Sequence, residues 1–136
     1  METLVKRLLN AWNSHDFAQI AALYSADCEG IDVGQAEMYR NAEGLRQIFA
    51  NYWTAFPDLH FELEASIEGT DALALFWRAT GTHRGSIQHI PATGRAVEIR
   101  GSAHHFLSEG KIARSLYIWD TAGMLRSLGL LPELTA

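Results

Sequence analysis

Pro57 marks a change in the spacing of apolar residues that divides the chain into two kinds of structure. Before it, apolar side chains recur every three to four residues, as they do on an amphipathic helix. After it, apolar and polar residues alternate from Leu59 to Glu68, which predicts a β-strand with one face in water. Because helices followed by a run of antiparallel strands are typical of α+β proteins, we predict that class of fold.

The apolar positions place helices at about residues 4–12, 17–23, 41–56 and 121–128. Residues 24–33 are predicted as a short strand followed by an irregular loop, and strands at about 59–68, 72–83, 96–107 and 111–119 form two hairpins. The third helix has a wide apolar stripe that must be buried on one face of the sheet. A strongly curved sheet covered in this way tends to enclose a cavity, so we expect a largely apolar pocket for a small molecule.

Composition limits the partners and the location of the protein. A chain of 136 residues, 48% of them hydrophobic, fits a single domain over residues 1–136. The net charge is −5 and the 11 Lys and Arg residues are scattered, so no nucleic-acid surface is predicted. No apolar run approaches membrane-spanning length. The only cysteine, Cys28, cannot form an intramolecular disulfide, which favours a reducing compartment, the cytoplasm.

The last predicted hairpin carries the most informative residues. If its turn consists of Glu109 and Gly110 alone, one mostly apolar face looks at the core. That face includes Ile99, His105, Ile118 and Asp120. A three-residue turn with a bulge would instead pair His104 with Asp120. We favour the first register, with His105 inward, because it segregates the apolar residues more cleanly.

Asp120, His105 and His83 are the candidate catalytic residues. A carboxylate in an apolar pocket has a raised pKa and is a better base than a solvated one. A nearby imidazole could donate a proton or hydrogen-bond an enolate oxygen. Each residue also has a structural interpretation: Asp120 directly precedes a helix that it could cap, His105 could be a satisfied core histidine, and His83 could be a solvated residue at a strand end.

Candidate ligand-contacting residues are apolar or aromatic and share the predicted inner faces. They are Phe49, Tyr52, Trp53, Trp77, Ile99 and Ile118. Their first role is core packing, and lining a pocket for a hydrophobic ligand is the functional alternative. No histidine pair has helical metal-ligand spacing, and the adjacent His104 and His105 point to opposite faces of a strand, so we predict no metal or cofactor site.

An ordered set of short motifs resembles the SnoaL-like polyketide cyclase family over nearly the whole chain. The motifs are residues 81–85 (GTHRG), 91–95 (PATGR), 109–112 (EGKI), 119–120 (WD) and 125–129 (LRSLG). The resemblance implies a cone-shaped α+β barrel of the nuclear-transport-factor-like kind, often dimeric. It also implies that Asp120 acts as acid and base in an intramolecular aldol ring closure without a cofactor. The family's inward strand histidine matches Ala103 more naturally than His105.

Two classes of function therefore follow from the sequence. The first is a cofactor-free polyketide cyclase, or a related isomerase, that acts on a hydrophobic small molecule. The second is a non-catalytic binding or dimerisation module with the same pocket. A ketosteroid-type isomerase would need a tyrosine donor in the pocket, for which Tyr24 and Tyr52 are the candidates. A homodimer through the outer face of the sheet is expected, because the favoured register places three aromatic residues there: Phe106, Tyr117 and Trp119.

Overall fold

The computed structural model describes residues 2–135, which form four helices and six strands in one α+β unit. The helices are α1 (Leu4–Ser14), α2 (Phe17–Ala21), α3 (Asn41–Ala55) and α4 (Thr121–Ser127). The strands are β1 (Tyr24–Asp32), β2 (Tyr39–Arg40), β3 (His60–Glu68), β4 (Ala72–Thr82), β5 (Ala96–Ser108) and β6 (Lys111–Trp119). The predicted α+β class is confirmed, and the helix and strand bounds agree closely with the apolar spacing.

All six strands belong to one sheet in the order β2-β1-β6-β5-β4-β3. The neighbours pair antiparallel except β1 and β6, which run parallel. The expectation of a fully antiparallel sheet is therefore wrong at this one junction, where the rest of the domain forms the crossover between the two strands. The two-residue strand β2 was not predicted, because a segment that short has no readable period.

Two β-bulges move side chains to the face of the sheet opposite to the one predicted from the sequence. In β6 the expected pair Leu107–Ile112 forms, but Ala113 is an extra residue, so His105 lies opposite Ser115 instead of Arg114. In β3 the extra residue is Glu64, and Ile67 beyond it is 65% exposed instead of buried. A bulge shifts the pairing by one residue, and every later side chain then moves to the opposite face.

The helices α1 and α3 cover the concave face of the sheet and share the core with it. The side chain of Asn13 joins α1 to β3: its amide nitrogen donates to the Phe61 carbonyl at 2.9 Å and its oxygen accepts from the Phe61 amide at 2.7 Å. Trp12 and Phe49 lie behind this junction and are buried. This packing fixes the helices over the sheet and leaves a space between the two layers. No helix within residues 2–135 is long and apolar enough to cross a membrane.

Candidate functional site

A cavity of about 80 Å³, open to solvent on one side, lies between the helices and the concave face of the sheet. Its walls are almost wholly apolar and mainly aromatic. The aromatic lining residues are Trp12, Phe49, Tyr52, Phe56, Phe61, Trp77, Tyr117 and Trp119. Ligand pockets usually measure about 300–1,000 Å³, so this cavity holds only a few heavy atoms, and the rest of a larger ligand would extend through its open side.

The aromatic walls are held in fixed orientations by their neighbours. Phe61 packs edge-on against Trp77, with ring centroids 5.1 Å apart, and Tyr52 packs edge-on against Trp119 at 6.1 Å. Gly101 lies beneath the Trp77 indole so closely that a Cβ atom there would collide with the ring. Edge-to-face contacts of this kind are favourable and directional. The cavity is therefore preformed and does not depend on ligand binding for its shape.

Asp32, at the end of β1, is the carboxylate in the cavity wall, and its residue is only 5% exposed. Its Oδ1 atom accepts hydrogen bonds from the Gly34 backbone amide at 2.7 Å and from the Trp119 indole Nε1 at 2.9 Å. Its Oδ2 atom accepts from the Tyr52 hydroxyl at 2.9 Å. These bonds tie β1, α3 and β6 together at one side of the cavity.

The hydrogen bonds of Asp32 leave one acceptor position open. A carboxylate oxygen has two lone pairs, and both on Oδ1 are used, whereas Oδ2 receives only the Tyr52 hydroxyl. Burial, followed by the negative charge of Asp32, raises the pKa of Tyr52 far above its ordinary value, so this hydroxyl stays protonated as a donor. The Gln35 side chain donates to the same hydroxyl at 3.2 Å. Oδ2 is therefore the oxygen that can accept a further proton or hydrogen bond.

Asp120 does not lie in the cavity wall, contrary to the expectation that it faces the pocket. It is exposed, and its Oδ1 atom accepts from the Gly123 backbone amide at 2.8 Å as the N-cap of α4. The bulge at Ala113 explains the difference. In the predicted register Asp120 lies opposite Ile99, but the extra residue shifts the pairing by one, and the Asp120 amide donates to the Arg100 carbonyl instead. The capping interpretation of Asp120 is the one that this geometry supports.

His105 and His83 are both fully buried, but neither belongs to the cavity lining. His105 faces inward as the favoured register required, and its Nδ1 atom is 2.6 Å from the Ser115 hydroxyl. Burial, with a smaller contribution from His104, lowers the pKa of His105 to about 3, so the ring is neutral near pH 7. His83 contacts the Thr93 hydroxyl at 2.9 Å and holds the connection between β4 and β5.

Of the six expected ligand-contacting residues, four line the cavity: Phe49, Tyr52, Trp77 and Ile99. Trp53 does not line it, because its ring stacks on His15 with centroids 5.2 Å apart. Ile118 is 45% exposed on the outer face, again because of the bulge at Ala113. The same shift brings Tyr117 into the wall, where its hydroxyl lies 2.7 Å from that of Tyr24. Tyr117 and Trp119 are thus absent from the outer face where they were expected.

Asp32 was not singled out from the sequence, although its strand gave a weak signal. Cys28, Gly30 and Asp32 recur at every second residue and are all buried. Ile31 between them is 50% exposed, so the apolar side chain faces out and the acidic one faces in. Hydrophobic alternation predicts the reverse, which is why the pattern concealed this residue.

The fold and the site together define a class: an α+β domain whose curved sheet encloses an aromatic cavity with one buried carboxylate. The model of the SnoaL-like polyketide cyclase family matches residues 2–128, and the chain belongs to that family. A comparison with curated protein sequences finds no match.

Solved structures of other proteins have the same fold. AclR of Streptomyces galilaeus, a proposed hydroxylase, is 24% identical with a TM-score of 0.83, over 97% of this chain and 82% of AclR. IdmH of Streptomyces antibioticus, a proposed polyketide cyclase, is 26% identical with a TM-score of 0.79, over 93% of this chain and 96% of IdmH. A ketosteroid isomerase-like protein of Catenulispora acidiphila, solved with trimethylamine, is 13% identical with a TM-score of 0.81, over 100% and 99% of the two chains.

Proposed function

We propose that this protein is an acid/base catalyst, a cyclase or related isomerase, that acts on a small neutral carbonyl compound held in the aromatic cavity. The observation that carries the proposal is the Asp32 carboxylate, which is buried in the cavity wall with one acceptor position open on Oδ2. Membership of the polyketide cyclase family supports the reaction class. The base in this proposal is Asp32, and Asp120 keeps a capping role.

The chemistry needs one group that takes up a proton and returns it. Asp32 Oδ2 removes a proton from the carbon next to a carbonyl, and the C–H electron pair becomes the enolate. In ring closure the enolate carbon forms a bond to a second carbonyl carbon, whose oxygen then takes the proton back from Asp32. In isomerisation the proton returns to a different carbon. Both routes leave the carboxylate ionised and balance without another reactant.

The hydrogen bonds around Asp32 suit this role. Tyr52 and Trp119 fix the carboxylate from α3 and β6, so it loses little freedom when it engages a ligand. The apolar walls lower the local dielectric, which strengthens the interaction of the carboxylate with an acidic C–H bond. His105 and His83 have no part in the step, because both lie outside the lining.

A binding module without catalysis is the second candidate, and two observations favour it. The cavity is small and lined largely by aromatic rings, and Asp120 caps a helix. In that case Asp32 orients a ligand and does not move a proton. Both candidates include a homodimer that forms through the outer face of the sheet. Both also include a reducing compartment such as the cytoplasm, because Cys28 is a lone buried thiol.

A simple carbon acid separates the two candidates. Cyclohex-3-en-1-one is neutral and compact, and its C2 protons are acidified by both the carbonyl and the alkene. We expect the protein to accelerate hydrogen–deuterium exchange at C2 in D2O, measured by NMR, and the Asp32→Asn variant to lose this acceleration. If the wild-type protein binds the ketone, detected as a change in tryptophan fluorescence, without accelerating exchange, the protein is a binding module and the catalytic proposal is wrong.

A further inference from the structure

Asp32 is a buried carboxylate without a countercharge. Within residues 2–135, all Lys and Arg contacts with carboxylates of salt-bridge length are made by surface glutamates, and none involves Asp32. Its hydrogen-bond donors are the Gly34 amide, the Tyr52 hydroxyl and the Trp119 indole, which are all neutral. Buried charges are normally paired, because an unpaired charge is costly to remove from water. Residues 2–135 thus supply no cation to pair with Asp32, and a bound ligand can supply one.

The surfaces next to this carboxylate are the ones that bind organic cations. The face of an aromatic ring carries negative charge and attracts ammonium groups, and Trp is the most effective. Trp119 both donates to Asp32 and lines the cavity, and Trp77, Phe49 and Tyr52 add further rings. No Lys, Arg or His side chain from the described part of the chain lines the cavity. A cation here would meet aromatic rings and one carboxylate, with no like charge to repel it.

The size of the cavity narrows the class of ligand. A cavity of about 150 Å³ in another protein admits benzene, whereas the present cavity measures about 80 Å³. A trimethylammonium group has fewer heavy atoms than benzene and is nearly spherical, so it contacts rings on several sides at once. Flat polycyclic compounds would instead require the walls to move. We infer that the cavity binds a small methylated ammonium group, with Asp32 as its counterion and Trp77 and Trp119 as its cage.

This inference goes beyond the proposed function, because binding an ammonium group needs the charge of Asp32 and no proton transfer. It also predicts how the two ligand classes interact. An ammonium compound and the neutral ketone occupy the same cavity, so the cation should inhibit exchange competitively. The charge preference can be measured on a protein with no exchange activity at all. Failure of the catalytic proposal therefore leaves the ammonium inference intact, and the reverse also holds.

The test compares choline with its neutral isostere 3,3-dimethyl-1-butanol, which has the same shape with carbon in place of nitrogen. We expect choline to bind at least about tenfold more tightly by calorimetry, in the range of a desolvated cation–π contact together with a buried counterion. Nuclear Overhauser effects from the choline methyl protons to the ring protons of Trp77 and Trp119 should place it in the cavity. Equal affinity for the two compounds, or contacts elsewhere on the surface, would overturn the inference.

Two variants identify the counterion. Asp32→Asn keeps the shape of the side chain and removes its charge, so the preference for choline should fall to about that of the isostere. Asp120→Asn removes one exposed charge outside the cavity and should leave the preference unchanged. If Asp32→Asn does not fold, as judged by circular dichroism, the wild-type comparison of the two compounds still decides the inference. Retained preference in a folded Asp32→Asn variant would show that Asp32 is not the counterion.

Discussion

Two aspartates lie at the ends of the parallel strands β1 and β6, and their surroundings give them different roles. Asp32 is buried and accepts three hydrogen bonds from three separate segments. Asp120 is exposed and caps the first turn of α4 through the Gly123 amide. The buried carboxylate of Asp32 lies beside the cavity and can contact a ligand. The exposed carboxylate of Asp120 instead stabilises the backbone of its own helix.

The capping role of Asp120 predicts a specific pattern of stabilities. Asn caps helices about as well as Asp, so Asp120→Asn should change the free energy of unfolding little. Ala cannot accept from the Gly123 amide, and Asp120→Ala should lose about 1 kcal/mol. Urea denaturation of both variants measures the difference. An equal loss in the two variants would mean that the charge of Asp120 contributes and that capping alone does not describe it.

His105 makes the stability of the fold depend on pH. Its pKa is lowered to about 3 by burial, whereas a histidine in the unfolded chain has a pKa of about 6.5. Between these pH values the histidine is protonated in the unfolded chain but neutral in the folded protein. The free energy of unfolding therefore decreases as the pH falls below about 6.5. The groups that face the ring include Trp12, Tyr24, Tyr117 and Ser115, and none of these supplies a countercharge.

The predicted loss from His105 is roughly 2 kcal/mol between pH 6.5 and 4.5, because the full slope of about 1.4 kcal/mol per pH unit applies only once the unfolded histidine is mostly protonated. His105→Phe should be less stable than the wild type at pH 7, because Ser115 loses its partner, but its stability should decrease less in acid. His60→Gln, at an exposed histidine, serves as the matched control and should keep the wild-type dependence. Thermal denaturation at several pH values measures how the stability of each protein changes with pH. Parallel slopes for the wild type and His105→Phe would contradict the assignment.

At the level of the elements, β-bulges decided which sequence predictions succeeded. The spacing of apolar residues located every helix and the long strands, and the two-residue turn at Glu109–Gly110 formed as favoured. The inward face was correct for His105, Trp77 and Ile99, which lie on β4 and β5, the strands without an extra residue. It was wrong for Ile118 and Ile67, which follow the bulges at Ala113 and Glu64. Neither bulge has a glycine or another local signature, so a single sequence does not reveal it.

The contact of Gly101 with Trp77 links β5 to the cavity wall and can be tested. A Cβ atom at this position would collide with the indole ring, so Gly101→Ala should displace Trp77 and cost about 1–3 kcal/mol, as overpacking does. The near-ultraviolet circular dichroism of tryptophan should change as well. Gly69→Ala is the control, because its Cβ atom would meet only the Ala72 carbonyl at 3.4 Å. A Gly101→Ala variant as stable as the wild type would show that the ring can move freely.

At the scale of the whole molecule, the sequence predicted the class of fold and the presence of an aromatic cavity but not the residue at its centre. The family motifs extend along the chain and define the overall shape. The buried carboxylate depends on the parallel pairing of β1 with β6, which places Asp32 beside Tyr117. That contact joins residues far apart in the chain, and no local pattern encodes it.

The outer face of the sheet remains the surface where we predict a homodimer, although its residues differ from those expected. The large exposed apolar side chains on this face are Ile31, Ile67, Phe76, Phe106 and Ile118. Ion pairs of Arg78 with Glu62 and Glu98 lie beside them and would form a polar rim. An apolar patch of this kind is unusual on a monomer.

The dimer predicts a twofold mass in sedimentation equilibrium at micromolar concentration. Ile118→Asp places a charge in the apolar part of the face and should give a monomer with an unchanged circular dichroism spectrum. Leu134→Asp changes an equally apolar residue that is 80% exposed near the end of the chain, and it should remain dimeric. A monomeric wild-type protein would rule out this interface.

The comparison of Asp32→Asn with Asp120→Asn in the cyclohex-3-en-1-one exchange assay tests the central claim most directly. Both variants replace one carboxylate by an amide of nearly the same shape, so only the position of the lost base differs. If Asp32 is the base, Asp32→Asn should slow exchange by about two to four orders of magnitude, the usual effect of losing a positioned acid/base group, while Asp120→Asn keeps nearly the wild-type rate. A large loss in Asp120→Asn together with full activity in Asp32→Asn would contradict the account.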